Sequence, residues 1–219
     1  MSRSKALAPV AGAAAGALIG VLLTRKGLPL PHVELGRLYP AIALWFVFFL
    51  YWSVAARNAA PTRSSESSGS TLFHQLLLNA ALLLLILPVP GFTGRVLPAG
   101  WLPVVLGAAI QAGFILLAVW ARRHLGRNWS AEVRIAVDHQ LVRTGPYRRL
   151  RHPIYTAMLG MFLATAVASG ELHSMLALLL LAALYRRKTR LEEEVLVKTF
   201  GAEYHAYRRE SWSLVPWLI

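Results

Sequence analysis

The chain has 219 residues, of which 56% are hydrophobic and only 15% charged. This composition excludes an ordinary soluble domain, in which about a quarter of the residues are charged. The net charge of +13 would indicate nucleic-acid binding in a soluble protein, but here the basic residues stand at the ends of apolar stretches, as in the cytoplasmic loops of membrane proteins. The absence of cysteine excludes disulfides, thiolate metal sites and cysteine nucleophiles.

Six apolar stretches follow one another along the chain and predict an all-α, polytopic membrane bundle of five to six transmembrane helices. A helix needs about 20 apolar residues to cross a bilayer, and four stretches approach that length. The last two are shorter and are separated only by Ser169-Gly170-Glu171, so we interpret them as a tight C-terminal helical hairpin. The six stretches are Leu7–Leu23, Leu38–Ala56, Leu72–Val89, Trp101–Ala121, Ile154–Ala168 and Leu172–Tyr185.

The first stretch has two interpretations. Basic residues precede it, as in a secretory signal peptide, but Thr24-Arg25-Lys26 follows it where a small-residue cleavage site would be expected. We therefore favour a first membrane span. Its Gly12, Gly16 and Gly20 allow close packing against another helix, either within the chain or in a dimer, so the oligomeric state stays open.

The distribution of lysine and arginine orients the bundle, because cytoplasmic loops are enriched in both. With six crossings and a cytoplasmic N-terminus, 19 of the 23 Lys and Arg residues fall on the cytoplasmic side. We expect both termini to be cytoplasmic, in a membrane such as the bacterial inner membrane. The polar linker 62–71 and two polar segments, His139–Tyr155 and Tyr185–Tyr207, then share one membrane face.

The segment His139–Tyr155, HQLVRTGPYRRLRHPIY, carries the first candidate site. Gly145-Pro146 predicts a turn. The residue before Pro153 is biased away from helical geometry, so a helix is predicted to begin at Pro153. The exposed amides of such a helix start favour an anion.

Arginines and tyrosines crowd this predicted helix start. Arg148, Arg149 and Arg151 make a carboxylate or phosphate the expected ligand, and Tyr147 and Tyr155 offer aromatic faces to a ring or a cation. The alternative is that the arginines are lipid-headgroup anchors beside a span.

The second polar segment contributes carboxylates. On a helix, Lys188 faces Glu192, while Arg190 faces Glu193 and Glu194. One interpretation is a solvated, ion-paired helix surface; the other is that one or two carboxylates turn inward to bind a polar or cationic ligand. The histidines show no ligand spacing such as HxxxH on one helix, so no metal is predicted.

GPYRRLRHPIY, a short helical hairpin, the EE pair and FGAEYHAY occur in this order, and the combination resembles the isoprenylcysteine carboxyl methyltransferase family. Relatives of that family include membrane phospholipid methyltransferases. The resemblance covers about residues 120–219, where HLGRNWSAEVRI also resembles many bacterial members. It implies N-terminal transmembrane helices in 1–121, a catalytic methyltransferase region in 122–219, and S-adenosyl-L-methionine bound in a cytoplasmic pocket.

The resemblance also implies site residues, position by position. Arg151 is expected to hold the cofactor carboxylate or to shape the turn, and Glu192 and Glu193 are expected beside the cofactor and the methyl acceptor. The residues just before the EE pair depart from the eukaryotic enzymes, so Arg187 and Arg190 are both candidates for a basic catalytic partner. The positions expected to line the cofactor are His139, Leu141, Val142, Gly145, Tyr147, Arg151, His152, Pro153 and Tyr155.

The implied partners are membrane lipids and a lipophilic or lipidated acceptor, and no nucleic acid. A carboxylate acceptor, such as an isoprenylcysteine, needs no general base, whereas a phospholipid amine would need one, for which Glu193 or His152 is available. A sterol-reductase-like enzyme using NADPH is an alternative, although the additional polar C-terminal sequence expected for that larger cofactor is not found. A non-catalytic binder or assembly factor is the third possibility.

Overall fold

The computed structural model describes residues 35–58, 62–64, 68–87, 92, 94–126, 129, 134–136 and 141–217, and six α-helices lie in these ranges. The predicted first span, Leu7–Leu23, and its signal-peptide alternative lie outside the described residues. The helices are α1 (Leu35–Ala55), α2 (Ser68–Ile86), α3 (Trp101–Leu125), α4 (Pro153–Ser169), α5 (Leu172–Phe200) and α6 (Ala202–Glu210).

Three helices are long and apolar enough to cross a membrane: Gly36–Ala55 in α1, Gly69–Ile86 in α2 and Trp101–Leu125 in α3. In the most apolar part of each, only 22% of the residues are buried inside the molecule. Large apolar side chains such as Phe46 and Leu116 are therefore exposed and need a hydrocarbon surrounding. The prediction of an integral membrane helical bundle is confirmed.

The core between the helices is built from apolar side chains of five of them. Trp45, Leu85, Phe162 and Leu181 are all buried there. The indole Nε1 of Trp45 donates to Thr165 Oγ1 at 3.0 Å, so the polar atom of this large ring is satisfied inside the bundle.

Helix α3 continues four residues past its predicted end at Ala121, because Arg122 turns back into the protein. Its Nη1 donates to the carbonyl oxygen of Gly126 at 2.7 Å, and its Nη2 donates to that of Ala55 at 2.6 Å. The guanidinium also lies 4.7 Å from the ring centroid of Trp129. Arg122 thereby ties the ends of α1 and α3 together.

Helices α3 and α4 approach each other closely at Gly107. A Cβ atom at this position would lie 2.6 Å from the carbonyl oxygen of Ala164 and 2.8 Å from the Cβ of Ala168. The missing side chain thus sets the distance between α3 and the first arm of the hairpin.

Gly107→Ala is expected to destabilise the bundle by about 1–3 kcal/mol, because the new methyl group overpacks this contact. Gly113→Ala on the same helix is the matched control, since its Cβ would enter open space. The control is expected to be neutral or stabilising, because Ala forms helix better than Gly by about 1 kcal/mol. Thermal unfolding in one detergent measures both, and equal midpoints would contradict the close approach.

The predicted helical hairpin is present, with its turn at Ser169-Gly170-Glu171. Gly170 has φ +67°, a left-handed conformation that favours glycine at the end of a helix. Helix α4 has 17 residues, about 25 Å at 1.5 Å per residue, and is shorter than the roughly 30 Å hydrocarbon core. Helix α5 does not end with its apolar part at Tyr185 but continues to Phe200, so the EE pair stands on the same rigid rod.

The turn of the hairpin is fastened to α2 by buried polar groups. His173 places Nδ1 2.8 Å from the carbonyl oxygen of Leu84 and Nε2 2.9 Å from Glu171 Oε2. Ser174 donates to the carbonyl oxygen of Leu85 at 3.0 Å. These bonds fix the start of α5. Because α5 is one continuous helix, they also help to position Glu192 and Glu193 further along it.

Two short strands, β1 (Thr62–Ser64) and β2 (Arg134–Ala136), form an antiparallel ladder with Thr62 opposite Ala136. The ladder joins the α1–α2 connection to the α3–α4 connection. It was not predicted, because three-residue strands show no alternating pattern and 62–71 was interpreted as a polar linker. The bundle itself is helical, as predicted.

Candidate active site

Two backbone features position the candidate site at the start of α4. A 3-10 helix spans Gly145–Arg148, and Gly145 has φ +57°. A Cβ there would also collide with the ring of His124, so this position requires glycine. His152 is not helical (φ −127°, ψ 58°), and α4 begins at Pro153. The predicted turn and the predicted helix start are both confirmed.

Five residues meet at this helix start, and we call them the carboxylate cluster: Arg151, His152, Tyr155, Glu192 and Glu193. His152 lies between the two glutamates, with Nδ1 3.3 Å from Glu192 Oε2 and Nε2 3.3 Å from Glu193 Oε1. Arg151 Nε donates to the same Glu193 oxygen at 2.8 Å. The Tyr155 hydroxyl donates to Glu192 Oε1. The two polar segments of the sequence therefore do come together.

The charges of the cluster stabilise one another. Burial alone lowers the pKa of His152, but its hydrogen bonds to Glu192 and Glu193 outweigh burial and raise it. Burial alone raises the pKa of Glu193, but His152 and Arg151 lower it to about 2. The pKa of Glu192 is likewise lowered by His152 and Lys188 against the effect of burial. A cationic His152 between two carboxylates satisfies both ring nitrogens.

These shifts predict how stability depends on pH. The contribution of His152 is complete below its ordinary pKa of 6.5 and is lost as pH rises through its raised pKa. The contribution of Glu193 is complete above its ordinary pKa of 4.5 and is lost as pH falls toward 2. The cluster should therefore stabilise the fold most between pH 4.5 and 6.5.

The midpoint of thermal unfolding in detergent, measured over a range from about pH 5 to about pH 9, tests this dependence. We expect the wild type to lose stability as His152 deprotonates, and His152→Gln to lack that step. Parallel profiles for the two proteins would refute the assignment to His152.

Arg151 joins the cluster to the C-terminal segment. Its Nη1 donates to the carbonyl oxygens of Arg208, at 3.2 Å, and of Ser211. The backbone continues the contact, since the Arg151 N–H donates to the carbonyl oxygen of Trp212 at 2.8 Å. Two roles were expected for Arg151, and these contacts favour the shaping one, because its Nε and Nη1 are bonded to protein atoms.

The three arginines expected at the helix start differ in exposure. Arg151 is bonded within the protein, whereas Arg148 and Arg149 are exposed. Arg148 ends the short 3-10 helix and Arg149 follows it, and exposed side chains of this kind can be solvated by water or lipid headgroups.

A stack of four rings runs from the carboxylate cluster across α4 and α5 to α2, and we call it the aromatic ladder. The ring centroids of His152 and Tyr155 are 5.7 Å apart, those of Tyr155 and Tyr185 are 4.5 Å apart, and those of Tyr185 and His74 are 6.3 Å apart. The first two pairs are nearly parallel, with interplanar angles of 11° and 18°. The ladder extends the site from the start of α4 to α2, one of the three helices long and apolar enough to cross a membrane.

The candidate basic residues beside the EE pair occupy different places. Arg190 is exposed. Arg187 is half-buried and its Nη2 donates to Ser70 Oγ at 2.7 Å. Lys188, which was not a candidate, is buried, and its Nζ lies 5.9 Å from the ring centroid of Tyr155. Lys188 is thus a buried cation of α5 that lies beside the aromatic ladder.

The remaining predicted cofactor positions flank the cluster. Leu141 and Val142 are half-buried, Tyr147 is buried, and the Tyr147 carbonyl oxygen accepts a hydrogen bond from the Tyr207 hydroxyl at 2.5 Å. His139 lies outside the described residues.

The sequence analysis missed three contributors to the site. Ser213 donates to Glu193 Oε1 at 3.2 Å, and Arg208 Nε lies 3.3 Å from Glu193 Oε2. Tyr204 is fully buried beside them. The spacing of aromatic and basic residues in YHAYRR on α6 could have indicated Tyr204 and Arg208. Ser213 is a single serine after the helix, and no sequence signal indicates it.

Comparison with known proteins identifies the region that holds this site. Residues 102–203 match the phospholipid methyltransferase family model. Over this region the chain is similar to the phospholipid methyltransferase family. It begins in α3, ends in α6 and contains the whole carboxylate cluster. The resemblance seen in the sequence is therefore confirmed at the level of this methyltransferase superfamily.

Two rice proteins are similar to the chain over the same part. They come from Oryza sativa subspecies indica and japonica, and each is named a probable protein-S-isoprenylcysteine O-methyltransferase. Each is 28% identical over 122 residues, which is 54% of this chain and 60% of the relative. The chain thus matches less than two thirds of the length of these relatives.

Proposed function

We propose that this protein transfers a methyl group from S-adenosyl-L-methionine to a lipophilic acceptor in the membrane. The observation that carries the proposal is the carboxylate cluster, where His152 is held between Glu192 and Glu193 inside the phospholipid methyltransferase region. When bound, the cofactor supplies a methyl group on a cationic sulfur, which becomes a neutral thioether after transfer.

The residues around the cluster fit this cofactor. The ionised Glu192 and Glu193 favour a cation nearby, and tyrosine rings can stack on an adenine. The buried Tyr204 hydroxyl has no hydrogen-bond partner among the described residues, so a polar group of the cofactor would satisfy it. The residues we propose to line the cofactor are His139, Leu141, Val142, Gly145, Tyr147, His152, Pro153 and Tyr155, with Arg151 shaping the site.

The electrostatics of the cluster favour a carboxylate as the methyl acceptor. A general base works best when its pKa is near the working pH, but the pKa of Glu193 is about 2. The raised pKa of His152 favours its protonated form, which cannot accept a proton. A carboxylate needs no base, since its oxygen takes the methyl group and becomes a neutral ester without releasing a proton. An isoprenylcysteine, which the names of the two rice relatives mention, is such an acceptor.

A phospholipid amine is the second candidate, because the matched family is described as phospholipid methyltransferase. An amine releases a proton when it is methylated, and the chain would have to accept that proton outside the carboxylate cluster. This requirement makes the amine the less favoured acceptor.

The distribution of charges supports an orientation as well. We propose an inner-membrane protein whose termini and carboxylate cluster face the cytoplasm, as the 19 Lys and Arg residues on that side favour.

A radiolabelled methyl-transfer assay on protein reconstituted in lipid nanodiscs tests the proposal. The acceptors are a prenylated cysteine, its amide in which the carboxylate is blocked, and phosphatidylethanolamine. We expect label in a base-labile ester of the first acceptor and none in its amide. Label in phosphatidylethanolamine alone would show that the acceptor is an amine and not a carboxylate. If no acceptor is labelled and the protein instead oxidises NADPH in the presence of a sterol, methyl transfer is overturned.

A further inference from the structure

Two arginines and two tryptophans form a largely exposed face beside the start of α4, and we call it the tryptophan–arginine face: Arg148, Arg149, Trp212 and Trp217. The rings of Trp212 and Trp217 lie against each other, with centroids 5.4 Å apart and an interplanar angle of 51°. Trp217 is 85% exposed, the largest exposed fraction among the large apolar residues of the described ranges. Arg148 and Arg149 are exposed as well, and none of the four belongs to the carboxylate cluster.

Backbone hydrogen bonds bring the arginines and the tryptophans together. The N–H of Trp212 donates to the carbonyl oxygen of Arg149 at 2.9 Å, and the carbonyl oxygen of Trp212 accepts a bond from the N–H of Arg151 at 2.8 Å. Leu150 and Trp212 thereby form a parallel bridge. The face is built from two segments that are distant in the sequence, so it exists only while the C-terminal segment is paired with the residues before α4.

The face lies where lipid headgroups are expected. Helix α4 has no charged side chain from Pro153 to Ser169, so its apolar length begins soon after Arg149. In the C-terminal segment, Leu214 is buried in the apolar core of the bundle, between Trp212 and Trp217 in the sequence. Tryptophan is enriched at membrane–water interfaces, where its ring contacts acyl chains and its N–H reaches water or headgroups.

The charge of the face selects an anionic lipid over a zwitterionic one. Neither Arg148 nor Arg149 is ion-paired to an acidic side chain of the described residues. A guanidinium group can donate two parallel hydrogen bonds to a phosphate, and basic residues beside an anionic leaflet add to membrane affinity. The headgroup of phosphatidylcholine carries an ammonium group that cancels its phosphate charge, so its attraction to two arginines is weak.

We propose that the tryptophan–arginine face binds the phosphate of an anionic lipid and thereby holds the C-terminal segment against the start of α4. This segment borders the carboxylate cluster, because Ser213 donates to Glu193 Oε1 at 3.2 Å and the Arg151 guanidinium donates to the carbonyl oxygen of Ser211. The bound lipid is a regulator and not a methyl acceptor. The inference therefore goes beyond the proposed function.

Binding of short-chain lipids to the full chain in nonionic detergent tests the proposal. The probes are dihexanoyl phosphatidylglycerol, which has neither an amine nor a carboxylate to methylate, and dihexanoyl phosphatidylcholine. The readouts are the midpoint of thermal unfolding, which rises when a ligand binds only the folded state, and the rate at which a protease cuts the C-terminal segment.

Two variants remove parts of the face, and a third is the matched control. Arg148→Gln combined with Arg149→Gln removes both charges, and Trp217→Ala removes the exposed ring. Arg186→Gln combined with Arg190→Gln is the control, because it removes the same charge from two exposed positions on α5.

We expect phosphatidylglycerol, and not phosphatidylcholine, to raise the midpoint and to slow the cutting of the wild type and of the control. The Arg148→Gln, Arg149→Gln variant should need about tenfold more phosphatidylglycerol for the same shift, and Trp217→Ala should also bind it more weakly. Without added lipid, all the variants should resemble the wild type. Salt at about 0.5 M should weaken the effect, because it screens exposed charges.

Equal effects of the two lipids on the wild type would overturn the proposal, and this comparison does not require any variant to fold. An equal loss of binding in the control and in the Arg148→Gln, Arg149→Gln variant would also overturn it, since the attraction would then come from the overall positive charge. Neither readout uses S-adenosyl-L-methionine, so the result is independent of the proposed methyl transfer.

Discussion

Glu193→Gln is expected to reduce methyl transfer about 100-fold, the loss typical of a small misplacement of catalytic groups. Glu193 receives hydrogen bonds from Arg151, His152 and Ser213. A neutral amide removes the counter-charge of Arg151 and one of the two carboxylates that face His152, and its NH2 group is a donor that faces other donors. Without the charge of Glu193 the pKa of His152 is lowered, and its ring is held by Glu192 alone.

Glu194→Gln is the matched control for this change. Glu194 is the next residue on the same helix, and its side chain is exposed, so its loss should leave methyl transfer and cofactor affinity near the wild-type values. Initial rates at saturating cofactor measure both variants. Equal effects of the two substitutions would mean that the catalytic face of α5 has been assigned incorrectly.

Arg151→Met is expected to detach the C-terminal segment from the start of α4 and to cost about 3–5 kcal/mol, as breaking one side of a buried ion pair does. The side chains of Arg151 and Glu193 are only 9% and 12% exposed, so water does not replace the lost contact. Arg151→Lys should not restore it, because an ammonium group cannot bond Glu193 and the Ser211 carbonyl in the same fork.

Arg149→Met is the control, since Arg149 lies two residues away and is exposed. Thermal unfolding and proteolysis of the C-terminal segment report the effect, and cofactor binding should weaken with it. A normal midpoint and an uncut C-terminus in Arg151→Met would show that the guanidinium is not the tie between the two segments.

Local chemistry was sufficient to predict much of this fold. Pro153 placed the start of α4, Gly170 placed the hairpin turn, and the apolar stretches matched three spans because each signal is contained in a few neighbouring residues. The membership of Glu192 and Glu193 in one site with His152 was predicted from the resemblance of the combined motifs.

Long-range packing could not be predicted in the same way. Whether Arg151 or Arg149 turns inward depends on the carbonyls of residues about 60 positions away, and no local pattern encodes that partner. The resemblance offered Arg187 and Arg190 as basic partners, and neither it nor the i,i+4 spacing tells that Lys188 is on the side of α5 that other helices cover. The pairing of His74 with Tyr185 depends on the α2–α5 contact for the same reason.

The carboxylate cluster, with its charges matched, lies at one end of the aromatic ladder, and His74 on α2 lies at the other. We propose that this cluster binds a cation-bearing cofactor without supplying a base, which is why a carboxylate is the preferred acceptor.

Calorimetric titration of the detergent-purified chain with S-adenosyl-L-methionine tests the central claim most directly. We expect saturable binding at one site per chain, strongly weakened in His152→Ala and unchanged in Arg149→Met. Absence of saturable binding to the folded wild-type protein would contradict it.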